Sequence, residues 1–87
     1  MQWRVAETRK VEKQLRRLPK NIQLIYRGLC DDIEQGGPTP FGWDSRPLKG
    51  YEDHYRITLA KKYRVIIHVV SPSIIVVKVA HRKDVYR

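Results

Sequence analysis

The stretch YRITLAKKYRVIIHVVSPSIIVVKV, residues 55–79, decides the fold. Tyr55, Ile57 and Leu59 alternate with polar neighbours, as do Tyr63, Val65, Ile67 and Val69, and then Ile75, Val77 and Val79 after the turn Ser71-Pro72-Ser73. A period of two marks half-buried strands joined as hairpins. If all three apolar sets face one core, residue 59 opposes 63 and residue 69 opposes 75, because a one-residue slip turns every side chain to the other face. The loops then have odd lengths, most simply 60–62 and 71–73.

That register assigns the second face. Residue 56 pairs with 66, 58 with 64, 66 with 78 and 64 with 80, so Arg56, Thr58, Arg64, His68, Lys78 and Arg82 share one surface. Arg56 and Arg64 become diagonal neighbours, within about 7–8 Å at the backbone. Arg82 lies just past the pairing of Arg64 with Ala80, so three arginines are expected to converge there with no carboxylate in the sheet to neutralise them. His81 has the parity of the core face, at a strand end where the chain can turn and re-aim it.

Upstream the period changes. Trp3 and Val5 alternate within QWRVA, residues 2–6, which suits a short first strand. From Thr8, an N-cap residue, Val11, Leu15 and Leu18 recur at helical spacing, with Arg9, Lys10, Lys13, Arg16 and Arg17 opposite. Leu18-Pro19 ends this helix, and Pro19 suits the first position of a second one carrying Ile22, Ile25, Tyr26, Leu29 and Ile33 as far as Gly36-Gly37. Two amphipathic helices with almost no linker predict a helical hairpin whose apolar side a sheet must cover. Residues 36–53, rich in Gly and Pro, are expected to form a long loop carrying Phe41 and Trp43; loops of this length are usually functional or mobile, unless Trp43 and Leu48 tuck onto the core. The expected architecture is α+β: an N-terminal strand and an antiparallel two-helix hairpin packed on a mostly antiparallel, twisted sheet, in one domain spanning residues 1–87.

Composition narrows the function. The 87 residues carry a formal net charge of +9. Beyond residue 53 the cations Arg56, Lys61, Lys62, Arg64, Lys78, Arg82, Lys83 and Arg87 face one acid, Asp84. Such a balance makes a polyanion the natural partner. No apolar run reaches membrane-spanning length and no signal peptide is recognisable, so a cytoplasmic protein without a membrane partner is expected. Cys30 is the only cysteine, which excludes an internal disulfide and a cysteine-based zinc site; it falls on the apolar stripe of the second helix and reads as a small core residue. His54, His68 and His81 lack short metal-ligand spacing, so neither a metal nor another cofactor is expected.

Arginines crowded on one face repel unless an anion lies between them, and guanidinium forks match phosphate. RNA scission by a ribose 2′-hydroxyl needs a proton acceptor, a proton donor and cationic stabilisation of the phosphorane. Arg56, Arg64 and Arg82 suit the last role, His81 offers an imidazole for proton exchange, and Tyr86 can stack on a base or exchange a proton. Lys49, Lys61, Lys62, Lys78, Lys83 and Arg87 are each unremarkable as solvated surface; around such a cluster they form the expected nucleic-acid-binding set. The residues alone lead to a basic, nucleic-acid-binding α+β domain.

The ordered pieces KQLRRLPKNI, PLKG, YRITL, KYRVII and AHRKDVYR span nearly the whole chain. In that combination it resembles the RelE/ParE superfamily of bacterial type II toxin–antitoxin toxins, and within it the RelE-like branch of mRNA interferases. The resemblance implies a microbial-RNase-like fold and ribosome-dependent, metal-independent endoribonuclease activity that cleaves mRNA and inhibits translation. It implies a cognate antitoxin that wraps over the toxin, and a complex that can assemble further. Carried across by motif, the family's basic residues fall on Arg56, Arg64 and Arg82 and its C-terminal tyrosine on Tyr86. Two departures stand out: a further basic position of the family falls on Thr58, leaving proton transfer to another group such as His81, and the segment from Arg82 to Tyr86 is short, with no further C-terminal helix expected. The alternatives are a ParE-like inhibitor of DNA gyrase and a non-catalytic nucleic-acid-binding module.

Overall fold

The computed structural model describes residues 2–86. The elements follow as β1 (Arg4–Glu7), α1 (Arg9–Arg16), α2 (Lys20–Gly36), β2 (Ser45–Pro47), β3 (His54–Leu59), β4 (Tyr63–Val70) and β5 (Ser73–His81). One five-stranded sheet has the order β1-β5-β4-β3-β2. All its pairings are antiparallel except β1 with β5, so the first strand lies parallel to the last.

Thr8 caps α1, its hydroxyl accepting the Val11 amide at 3.1 Å and satisfying one of the free N–H groups of the first turn. Pro19 stands just outside α2 as its N-cap rather than as its first residue. The helices cover one face of the sheet, where Val11, Leu15, Ile22, Tyr26, Leu29 and Ile33 pack against Ile57, Leu59, Val65, Ile67, Ile74, Val76 and Val79. Removing a leucine or isoleucine of this set from water contributes about 1.5–3 kcal/mol.

Ile25, expected on the apolar stripe, is exposed. At 100° per residue it lies roughly 70° from the mean direction of Ile22, Tyr26, Leu29 and Ile33, on the side opposite Cys30, and the helix is rolled so that those four and Cys30 take the core. Burial pushes the Cys30 thiol up to about 11, keeping it protonated and unreactive at neutral pH. Beside it the Tyr26 hydroxyl donates to Glu7 Oε2 at 2.5 Å, tying α2 to β1.

Gly37 ends α2 with φ +78° and ψ −155°, a region open essentially to glycine alone. A Cβ there would sit 2.9 Å from Nε1 of Trp3. Gly37→Ala is therefore expected to lower stability by about 1–3 kcal/mol, read as a shift of the midpoint in equilibrium urea unfolding. An unchanged midpoint would mean that the Trp3 ring and the backbone both yield freely.

β1 stops at Glu7, leaving the outer edge of β5 without a strand beyond Val76. There α1 substitutes: Gln14 Oε1 accepts the Val79 amide at 2.9 Å, so the helix satisfies that edge amide.

Two further expectations are corrected. The segment 36–53 is not one loop, because Ser45–Pro47 adds β2 to the edge of the sheet, Trp43 Nε1 donates to Asp32 Oδ2 at 2.7 Å, and Trp43 packs on the core. Pro47 is tolerated because an edge strand needs no donor on its open side. In β5 the core residues are Ile74 and Val76, not Ile75 and Val77. Val70 pairs with Ser73 and Val69 with Ile74, so the turn is the two residues 71–72, and a bulge opposite Ile66/Ile67 takes up Val77 and restores Ile66 opposite Lys78.

Candidate nucleic-acid interface

The face of the sheet away from the helices is built in rows by the strand register. Arg46 of β2 stands opposite Arg56, Arg56 opposite Ile66, and Ile66 opposite Lys78. In the next row toward the β3–β4 turn, Thr58 opposes Arg64 and Arg64 opposes Ala80. The expected sharing of one face by Arg56, Thr58, Arg64, His68 and Lys78 thus follows from pairings present in the structure.

Arg64 is held at the turn end of this face. Its Nη1 donates to the carbonyl oxygens of Lys61 and Tyr63, each at 2.9 Å. Ala60 and Lys61, with φ of 49° and 65°, both lie in the left-handed region, a conformation that costs energy in residues with a Cβ. The same turn receives the C-terminal segment, as the Arg82 amide donates to Lys62 O at 2.7 Å. Lys61, Lys62, Arg64 and Arg82 are thereby gathered at one end, while Arg56 and Arg46 lie toward the β2 edge.

The face carries a carboxylate that the sequence reading did not place there. Thr58 donates from its amide to Asp44 O at 3.0 Å and from its hydroxyl to Asp44 Oδ2 at 3.2 Å. Arg46 Nε lies 3.0 Å from Asp44 Oδ1. The Arg46 hydrogen bond, aided by that of Thr58, holds the Asp44 carboxyl below its usual value, so it is ionised at neutral pH. At position 58, where the resemblance implies a basic residue, this chain has a threonine presenting an aspartate.

His81 is not brought to the arginines. It pairs with Tyr63, on the helix side, with the two rings edge to face at 5.6 Å. Its Nδ1 accepts the Lys83 amide at 3.2 Å, leaving the neutral ring's proton on Nε2. The chain then turns under the sheet, helped by the Asp84 amide donating to His81 O at 2.8 Å. Val85, 3% exposed, is buried beside Ile66 and Val77, and Tyr86 remains 67% exposed on the arginine side. Lys49 and Lys83 are exposed around this face; Arg87 lies outside the described residues.

Arg46, Asp44, Ile66 and Val85 escaped the sequence reading. Arg46 and Asp44 sit in a segment without periodicity, and Ile66 and Val85 look like lapses in a polar face until the tail is seen to cover them.

No protein-family model matches the chain. It is 29% identical over 75 residues to toxin RelE3 of Methanocaldococcus jannaschii, a match covering 85% of this chain and 84% of that protein. The toxin–antitoxin RelE–RelB complex of Pyrococcus horikoshii contains a chain 30% identical to it, with a TM-score of 0.82 and 97% of this chain and 99% of that one covered. The RelB–RelE complex of Methanococcus jannaschii gives 26% identity at a TM-score of 0.82, over 93% and 94% of the two chains.

Proposed function

The chain belongs to the RelE family of toxins, and from that premise we propose that it is the toxin of a toxin–antitoxin pair that cleaves mRNA on the ribosome. The observation that supports this most is the Arg64 guanidinium fixed at the turn, on the same face as Arg56 and beside a tail that delivers Arg82 and Tyr86. A phosphodiester bound there meets cations from three separate segments.

In the reaction so assigned, the ribose 2′-hydroxyl attacks the adjacent phosphorus. Its proton leaves to an acceptor, the P–O bond to the next nucleotide's 5′-oxygen breaks, and that oxygen is protonated, giving a cyclic phosphate and a 5′-hydroxyl. Charge grows on the non-bridging oxygens, where Arg64, Arg82 and Arg56 stabilise it more than in the ground state. Tyr86 stacks on a base and offers its hydroxyl. His81, packed on Tyr63, holds the strand end from which the tail departs. Lys61, Lys62, Lys78 and Lys83 attract the RNA backbone. The partner is a cognate antitoxin, as in the RelE–RelB complexes of the relatives, and the place of action is the cytoplasm, where ribosomes are.

Primer-extension mapping of a defined mRNA in a bacterial translation extract, with and without ribosomes, tests this reading. Cuts within codons that appear only with ribosomes are expected. Intact mRNA in the presence of folded protein, together with inhibited DNA supercoiling by gyrase, would replace the reading with that of a gyrase poison.

A further inference from the structure

Beside the arginine rows the same face opens into a cavity of about 410 Å³, its lining including Tyr51, His54, Ile66, Val77, Val85 and Tyr86. Its size is that of a small-molecule site. Its floor is apolar: Ile66 and Val85 are buried, and the bulge in β5 turns Val77 onto this side. Two tyrosines stand at the rim with their rings largely in solvent, Tyr51 63% and Tyr86 67% exposed.

The Tyr51 wall is braced rather than loose. Its ring centroid lies 5.9 Å from that of His54, and His54 stacks on His68 at 4.2 Å with the planes 11° apart. The His54 ring is further fixed by Nδ1 bonding the Glu52 carbonyl oxygen at 2.7 Å. Such a wall costs little ordering entropy when a flat ligand arrives. Arg56 is the immediate cross-strand neighbour of Ile66, so a phosphate on the arginines and a planar group on this floor lie within one nucleotide of each other.

We propose that this cavity is a nucleobase slot, in which one base of a single-stranded RNA lies over Ile66 and Val77 between Tyr51 and Tyr86 while its phosphate engages the arginine rows. Tyr51 is then a specificity-determining residue contributed by the turn before β3. The inference rests on the RNA-cleaving reading and deepens it. An apolar floor with aromatic rims and adjacent cations suits a heterocycle carried on a polyanion.

The test uses the whole protein and a short single-stranded RNA at low salt, intact or made abasic at each position in turn, with affinity read by fluorescence anisotropy. Tyr51→Ala, in an exposed turn, is expected to weaken binding of the intact RNA about tenfold, as loss of one stacking partner does, whereas Tyr51→Phe binds as the unaltered protein does. One abasic position is expected to cost the unaltered protein more than any other, and to cost Tyr51→Ala less than it costs the unaltered protein by about the factor that Tyr51→Ala itself loses, the two changes sharing one contact. If every abasic RNA loses the same factor with both proteins, the slot is overturned; RNA binding that still falls with Arg64→Ala would leave the RNA reading standing. If the unaltered protein binds no RNA, the slot is overturned, and the cleavage reading is decided separately by the mapping on ribosomes.

Discussion

Arg64→Ala is expected to slow ribosome-dependent mRNA cleavage about 100- to 1,000-fold, the cost of removing one preorganised donor aimed at a developing oxyanion. The residue is well placed for so large an effect. Its backbone is locked between Thr58 and Ala80, and its guanidinium is steadied by two carbonyls of the β3–β4 turn. Little reorganisation is then needed when charge develops on the phosphate. Stability should change far less, because Arg64 lies outside the core cluster and its hydrogen bonds, the one to Lys61 exposed, are to backbone carbonyls at the turn end of the hairpin. Cleavage rate on programmed ribosomes and thermal unfolding, measured side by side, check both halves. Full activity in a folded Arg64→Ala protein would remove Arg64 from the reaction.

Val85→Asp is expected to lower cleavage at least about tenfold without touching any group assigned to the chemistry. The C-terminal tail is tied down by the Arg82 amide to Lys62, by the Lys83 and Asp84 amides to His81, and by Val85 packed beside Ile66 and Val77. Burying a valine there contributes about 1.5–2 kcal/mol. A carboxylate in its place would be unpaired over an apolar floor, a larger penalty than the docking can bear. The tail should swing out, carrying Tyr86 away and loosening Arg82. The helix-side core is on the other face of the sheet, so the unfolding transition should remain cooperative, with accelerated proteolysis confined to the tail. Val85→Ile, which keeps the apolar contact, should retain activity. Unimpaired cleavage by Val85→Asp would mean that the tail's position is irrelevant.

The register of the first hairpin was legible because only one reading puts Tyr55, Ile57, Leu59, Tyr63, Val65 and Ile67 on one side, and that reading placed Arg56, Thr58 and Arg64 together on the other. The second hairpin was not legible in the same way. In Ile74-Ile75-Val76-Val77 both parities are apolar, so period two cannot choose between them. The bulge uses the ambiguity, sending Ile74 and Val76 to the main core and leaving Val77 for the floor beneath the tail. β2 escaped notice because three residues flanked by Gly, Pro and Asp have no period, and with it went Arg46 and Asp44.

What this sequence determined by itself is every element but β2 and the identity of its cationic face: alternation and helical spacing are local, and a strand with clear alternation carries its own parity with it. What only the tertiary structure decided is which groups meet on that face. Asp44 joins Thr58, Val85 covers Ile66, and His81 stays with Tyr63 on the helix side, because those contacts depend on where a loop and a chain end come to rest. Such segments have no repeating pattern of their own, and their positions follow from what the finished sheet leaves uncovered.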